Sequence, residues 1–467
     1  MIGRRGLIAL ALVASLGLAA ASGARSASPE PESPKLQALA HALDAGDTLA
    51  LPAFWQELAR THAPLIEEIP GRPQDVLYTF VWHAEPGQVA LNVLFNGWFP
   101  LHQPTGFDSF TRLRDSDLWY TSYTLTRAAH LRYELIAPKG WHASPDRVSY
   151  FTMDEREYET FHDPLNPQLM DWNDSVVCYA QGPDARTSPY LVKRADTASG
   201  SIEMRPIDSK ILGNTRTLRV YLPAGYRRDA HAYGLLLAYD GNQYTQGVPT
   251  PTILDNMIAA RVIPAVVAVF VESPDRDREF PPNDSFQRFV AEELVPQLRA
   301  HYHLSRDPRQ SAVLGSSYGG LAATYTALTH PELFGNVISQ SGSYAWSPPA
   351  PGQPSTPRAL GTESMWLIKR VAEARHENIR FSLDVGVWEG SGMLLANRVM
   401  RSVLLGKGYD VAYLEADGTH SSFYWMLRLP QALQAILGSG QKRVEAYCAD
   451  ARSSHPFGQV NDLKNCH

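Results

Sequence analysis

A chain of 467 residues, 44% of them hydrophobic and 19% charged, is too long for one hydrophobic core and too ordinary in composition for a disordered or fibrous protein. With a formal charge of −6 and no block of Lys or Arg, it offers nothing to follow a phosphate backbone or an anionic bilayer. After the N-terminus no apolar run reaches the roughly 18 residues needed to cross a membrane. Nucleic acid and stable membrane insertion are thereby excluded as partners, and a multidomain globular protein is expected.

In chain order, Arg4 and Arg5 are followed by an apolar run over residues 7–21 and by small residues at Ala24 and Ala27. This is the three-part form of a signal peptide, predicted for residues 1–27 and implying a periplasmic mature protein; the paired arginines leave general and twin-arginine export both open. Residues 28–50, rich in Pro, Glu, Ser and Ala, read as a linker or short helix. From 51 to 181, segments 76–83, 89–95, 118–126 and 130–136 alternate apolar and polar residues and favour β-branched and aromatic types. Turns recur at Glu85-Pro86-Gly87, Asn96-Gly97 and Ala137-Pro138-Lys139-Gly140. An immunoglobulin-like antiparallel β-sandwich is predicted here.

A polar stretch over 182–205 reads as a linker. Beyond it, over 206–440, strands at 218–222, 234–239, 263–271, 311–314, 336–339, 379–385 and 410–415 alternate with helical patterns, notably 286–302 and 321–328. Several strands are continuous apolar runs, as in strands covered on both faces, so a mostly parallel sheet with helices on both sides is expected. A polar tail, 441–467, follows. No cysteine pair has metal-ligand spacing; Cys448 and Cys466 suggest a bridge closing the tail, with Cys178 left unpaired.

One strand runs at once into Gly315-Ser316-Ser317-Tyr318-Gly319 and then a helix. In this strand-to-helix corner the glycines permit a tight reversal that lifts Ser317 above the sheet as a nucleophile. Its base should come later in the chain, after an acid. His420, directly beyond the strand at 410–415, fits that order. Glu389, just after the strand at 379–385, is the preferred acid; Asp384 and Asp417 are the alternatives. An oxyanion hole would use the backbone N–H of Tyr318 and that of Gly241 or Asn242, in the polar turn after the strand at 234–239.

Further strings carry a resemblance: Leu237-Ala238-Tyr239-Asp240-Gly241, Arg276-Asp277-Arg278-Glu279-Phe280-Pro281-Pro282-Asn283, His330-Pro331-Glu332-Leu333-Phe334-Gly335, Ser339-Gln340-Ser341-Gly342-Ser343-Tyr344 and, in the first half, Arg112-Leu113-Arg114-Asp115-Ser116-Asp117-Leu118-Trp119-Tyr120 and Asp163-Pro164-Leu165-Asn166-Pro167. Over about residues 50–440 the chain resembles the enterochelin (enterobactin) esterases. The resemblance implies an α/β-hydrolase catalytic domain behind a β-sandwich, hydrolysing ester (lactone) bonds of a catecholate siderophore, with Ser317 and His420 catalytic. Arg276, Glu279 and Asn283 match a family segment at the site, and Arg276 or Arg278 would offer a planar cation to the anionic ferric complex. No resident metal or cofactor is expected; iron would enter only with the substrate. The chain departs from the family's Gly-Gly-His-Asp at Gly418-Thr419-His420-Ser421, and its exported N-terminus contrasts with cytoplasmic members. A depsipeptide, feruloyl or other acyl esterase, and a siderophore- or glycan-binding protein with an inert hydrolase half, are the competing readings.

Overall fold

The computed structural model describes residues 30–85, 92–95, 110–138, 158–172, 175–229, 231–348 and 365–439. The signal peptide at 1–27, the turn residues 86–87, 96–97 and 139–140, the first residues of the strand expected at 89–95, and the tail with Cys448 and Cys466 lie outside them.

The first half opens with helices α1 (Pro34–Asp44) and α2 (Ala50–Thr61). Among the described residues nine strands follow: β1 (Leu65–Glu68), β2 (Asp75–His83), β3 (Asn92–Phe95), β4 (Thr111–Arg112), β5 (Leu118–Thr126), β6 (His130–Pro138), β7 (Tyr158–Phe161), β8 (Leu169–Trp172) and β9 (Ser175–Gln181). They form two antiparallel sheets, β1-β2-β5-β4 and β3-β6-β9-β8, with β7 paired to β6. Side chains alternate across each strand, so Val76, Tyr78, Phe80 and Tyr123 of one sheet meet Leu131, Tyr133, Leu135 and Cys178 of the other in a single core. Cys178 is buried and unpaired; its Sγ accepts the Asp163 N–H at 3.1 Å, and burial pushes the thiol up to about 11.

Helix α1 is the short helix that the reading of residues 28–50 allowed, whereas α2 occupies the start of the stretch read as sandwich. Leu51, Phe54, Trp55 and Leu58 recur at helical spacing and, with Leu36 and Leu39 of α1, cover Val81, Leu118 and Tyr120 on the back of the first sheet. That second covered face explains why β2 is buried without interruption from Val76 to Val81.

The second half is an eight-stranded sheet built from β10 (Ser201–Ser209), β11 (Asn214–Leu222), β12 (Gly234–Tyr239), β13 (Val266–Val271), β14 (Ser311–Ser316), β15 (Asn336–Gln340), β16 (Arg380–Gly386) and β17 (Asp410–Ala416), in the order β10-β11-β13-β12-β14-β15-β16-β17. From β13 to β17 all pairings are parallel; β11 joins β13 antiparallel, and β10 returns along β11 as a hairpin. The chain segment read as a linker to 205 therefore already contains the first five residues of β10. Its largely exposed pattern, with Ile202 and Met204 outward, is that of an edge strand and hides it from an apolar-run search.

Helices α3 (Thr250–Ala259), α4 (Arg276–Glu279), α5 (Asp284–Arg288), α6 (Val295–His301), α7 (Tyr318–Thr329), α8 (Trp366–Glu373), α9 (Ser391–Gly406) and α10 (Ser422–Leu437) complete this half. One face of the sheet is covered by α3 and α10 through Ile253, Leu254, Phe423 and Leu433. The other is covered by α6 to α9 through Leu298, Leu321, Val371 and Met400. The single helix expected over 286–302 is instead α5, a π-helical stretch Phe289–Leu294, and α6. Pro296 lacks the N–H that a continuous helix would need and crowds the carbonyl four residues back. The architecture is that of an α/β-hydrolase domain behind an antiparallel sandwich, as the sequence suggested.

Candidate active site

The sheet delivers three loops to one edge. Parallel strands β14, β16 and β17 end side by side in space with β15 between β14 and β16, and Ser317, Glu389 and His420 sit just past their C-terminal ends, the edge where open α/β sheets gather ligands.

Ser317 has φ +56° and ψ −122°, a left-handed conformation costly for a residue with a Cβ. The corner closes only because its flanks are glycine: a Cβ at Gly315 would stand 2.2 Å from the Gly319 carbonyl oxygen, and one at Gly320 2.6 Å from Ser339 Oγ. Ser317 precedes α7 without making a side-chain capping bond, so its hydroxyl is not consumed by the helix. The backbone around it is fastened to the loop after β15. Ser317 N–H donates to the Gln340 carbonyl at 3.0 Å, Ser343 N–H donates to the Ser317 carbonyl at 3.0 Å, and the Oγ atoms of Ser317 and Ser343 are 3.3 Å apart.

His420 Nδ1 and Glu389 Oε2 are 2.8 Å apart, with the Glu389 side chain fully buried and His420 nearly so. A neutral imidazole bonded there through Nδ1–H presents Nε2 as the acceptor. Of the two alternative acids, Asp417 Oδ2 accepts a bond from Thr126 Oγ1, and Asp384 Oδ2 accepts from Gln340 Nε2 at 3.2 Å. The acid and base loops are themselves joined: Val387 N–H donates to the Ala416 carbonyl and Trp388 N–H to the Gly418 carbonyl, each at 3.0 Å. Gly418 is dictated by close approach, since a Cβ there would lie 2.0 Å from the Tyr424 ring.

Ser341 and Trp425 complete this arrangement; Ser341 lies in one of the strings that carry the resemblance but has no role assigned by it, and Trp425 has no motif of its own. Glu389 Oε1 accepts from Gly386 N–H at 2.7 Å and from Ser341 Oγ at 2.5 Å. Ser341 Oγ in turn accepts from Trp425 Nε1 at 2.8 Å, and the Trp425 ring meets His420 edge-on with centroids 5.2 Å apart. Ser341 also has positive φ, +49°; in the sequence its signal is its place in the string 339–344.

The oxyanion side differs from expectation. Tyr318 contributes the first N–H of α7. Gly241 N–H, however, already donates to the Val271 carbonyl at 3.1 Å, and Asn242 N–H to Glu272 Oε2 at 2.7 Å. Gln243 heads the π-helical turn Gln243–Gly247, where an N–H precedes the first intrahelical acceptor, and its Nε2 reaches Ser316 Oγ at 2.6 Å. It is therefore Gln243 that this turn brings against the nucleophile strand.

The charged segment 276–283 also serves the fold more than a ligand. Arg276 donates to both oxygens of Asp240 at 2.7 and 2.9 Å and to the Ser316 carbonyl at 3.3 Å, and its guanidinium lies 5.7 Å from the Tyr318 ring centroid. Burial opposes its charge, but the Asp240 carboxylate outweighs it and holds the pKa above the ordinary value. Glu279 is buried in a two-bond pair with Arg216, 2.9 and 2.8 Å, and accepts from Ser273 Oγ. Asn283 caps α5, its Oδ1 accepting from Phe286 N–H at 3.0 Å. Arg276, Glu279 and Asn283 are thus committed within the protein, whereas Arg278 is exposed.

Comparison with known proteins agrees with this architecture. Residues 209–436 match the "Putative esterase" family and residues 77–190 match "Enterochelin esterase, N-terminal". An iron(III) enterobactin esterase of Dickeya dadantii is 26% identical over 80% of this chain and 90% of its own. An iron(III) salmochelin esterase of Escherichia coli is 25% identical over 86% of this chain and 98% of its own. The crystal structure of ferric enterobactin esterase from Salmonella typhimurium superposes with a TM-score of 0.65, at 24% identity, over 82% of this chain and 98% of that one. Fold and family matches together define a carboxylic-ester hydrolase. Both halves of the chain are thus matched, in order, by an esterase model and by the model of the enterochelin esterase N-terminal domain.

Replacing Ser341 by Ala should lower kcat on a short p-nitrophenyl ester roughly 10-fold to 100-fold with little change in KM, the equivalent of losing a ~1.5–3 kcal/mol hydrogen bond to a charged group. Glu279→Gln should leave KM unchanged and instead destabilise the fold in urea by about 3–5 kcal/mol, because Arg216 is left as a buried, half-paired charge.

Proposed function

We propose that this protein is a serine esterase that opens the ester (lactone) bonds of a catecholate siderophore, with Ser317 as nucleophile, His420 as base and Glu389 as acid. The observation that carries this reading is the part-buried 2.8 Å Glu389–His420 contact at the same sheet edge as a serine held at positive φ. Nε2 of His420 takes the Ser317 proton as Oγ attacks the ester carbonyl, and returns it to the leaving alkoxide; water then repeats the sequence on the acyl-enzyme. Glu389 orients the ring and stabilises its cation without accepting the proton. The amides of Tyr318 and Gln243 stabilise the tetrahedral oxyanion.

The substrate class rests on the relatives, which are enterobactin and salmochelin esterases over most of their length. Arg278, exposed on α4, offers the anionic complex a planar donor. Iron is cargo of the substrate, freed when the cleaved ligand loses its grip. The charged start, apolar run and small-residue exit read over residues 1–27 support export and a periplasmic site of action.

Purified protein incubated with ferric and iron-free enterobactin should yield linear and monomeric catechol-serine products by liquid chromatography and mass spectrometry, and none with Ser317→Ala. Intact substrate in the wild-type reaction defeats the siderophore assignment. Glu389→Gln should reduce kcat by roughly 10³–10⁴-fold. Export predicts a mature periplasmic N-terminus near residue 28, readable by mass spectrometry of the fractionated protein.

A further inference from the structure

The residues flanking the acid and the base reach into the other domain. Trp388, adjacent to Glu389, is half-buried and packs against the core of the N-terminal sandwich. Asp417, three residues before His420, accepts a hydrogen bond from Thr126 Oγ1 at the end of β5. The Tyr78 hydroxyl, inside that sandwich, is held above its ordinary pKa by burial and next by the charge of Asp417, so the two groups lie within electrostatic range.

A third joint lies on the other side of His420. Phe423, at the start of α10, meets Tyr179 of β9 edge-on with centroids 6.2 Å apart, and Val177 of β9 belongs to the same core as Tyr424 and Leu433. The acid and base loops are bonded to each other through Val387 and Trp388. A displacement of either loop at the domain boundary therefore reaches both Glu389 and His420.

We propose that the N-terminal sandwich is a positioning element for catalysis, in which Trp388 and the Thr126–Asp417 bond hold the acid and base loops in register. This rests on the triad reading above. The effect acts on the triad rather than on a bound siderophore, so it extends to any ester, however small. Trp388 and Thr126 touch no reacting atom; they act through Glu389 and His420.

The test uses the full chain, with p-nitrophenyl acetate as substrate and a fluorophosphonate titration to count competent sites. Wild type that fails to label removes the triad reading and this inference with it. Given labelling, Trp388→Ala lowers kcat per titrated site by about 10-fold to 100-fold, the scale of a misplacement on the order of 1 Å. KM stays within about twofold, and Trp388→Phe recovers most of the loss. Thr126→Val, which removes one hydroxyl and no volume, lowers kcat per site by about fivefold, the weight of one net hydrogen bond; it decides the matter alone if Trp388→Ala does not fold. Wild-type kcat per site in either variant overturns the proposal, as does a loss confined to KM or one that Trp388→Phe does not recover.

Discussion

The loop that ends β15 is where the site is assembled. Its Gln340 carbonyl and Ser343 amide grip the backbone of Ser317, while Ser341 between them donates to the second oxygen of Glu389. Ser317 and Glu389 are thus fixed to one four-residue segment, although 72 positions of sequence separate them. Ser341 meets this double demand by taking a left-handed backbone conformation, strain that the surrounding buried hydrogen bonds hold in place.

Below that loop, charge is used mainly to lock backbone. The Arg276–Asp240 pair spans the turn after β12, the last carbonyl of β14 and the face of Tyr318, so one guanidinium steadies both sides of the Ser317 corner. Arg216 and Glu279, almost fully buried, fasten α4 to β11. Either charge alone inside the protein would be costly, so each member of the pair holds the other in place.

What could be read from sequence follows from how local each signal is. The glycine spacing around Ser317 and the placement of Glu389 and His420 just past apolar strands are short-range features, and they lead to groups that the fold brings to one edge. The failures are long-range. Gly241 and Asn242 look like free turn amides until β13 supplies Val271 and Glu272 as acceptors. Glu279 and Asn283 look like ligands in a charged run until Arg216, 63 positions away, claims the first and α5 the second. Ser341 has no visible task without Trp425, 84 positions later. Strand β10 was masked by its exposed faces, and α2 by being read together with the strands that follow it.

Cys178 lies between the two sheets of the sandwich with its thiol held almost wholly protonated at neutral pH. Since the thiolate is the species that attacks disulfides and reacts with oxidants, this sulfur is chemically silent. Burial and the raised pKa together withdraw this side chain from disulfide exchange and thiolate oxidation within the sandwich core.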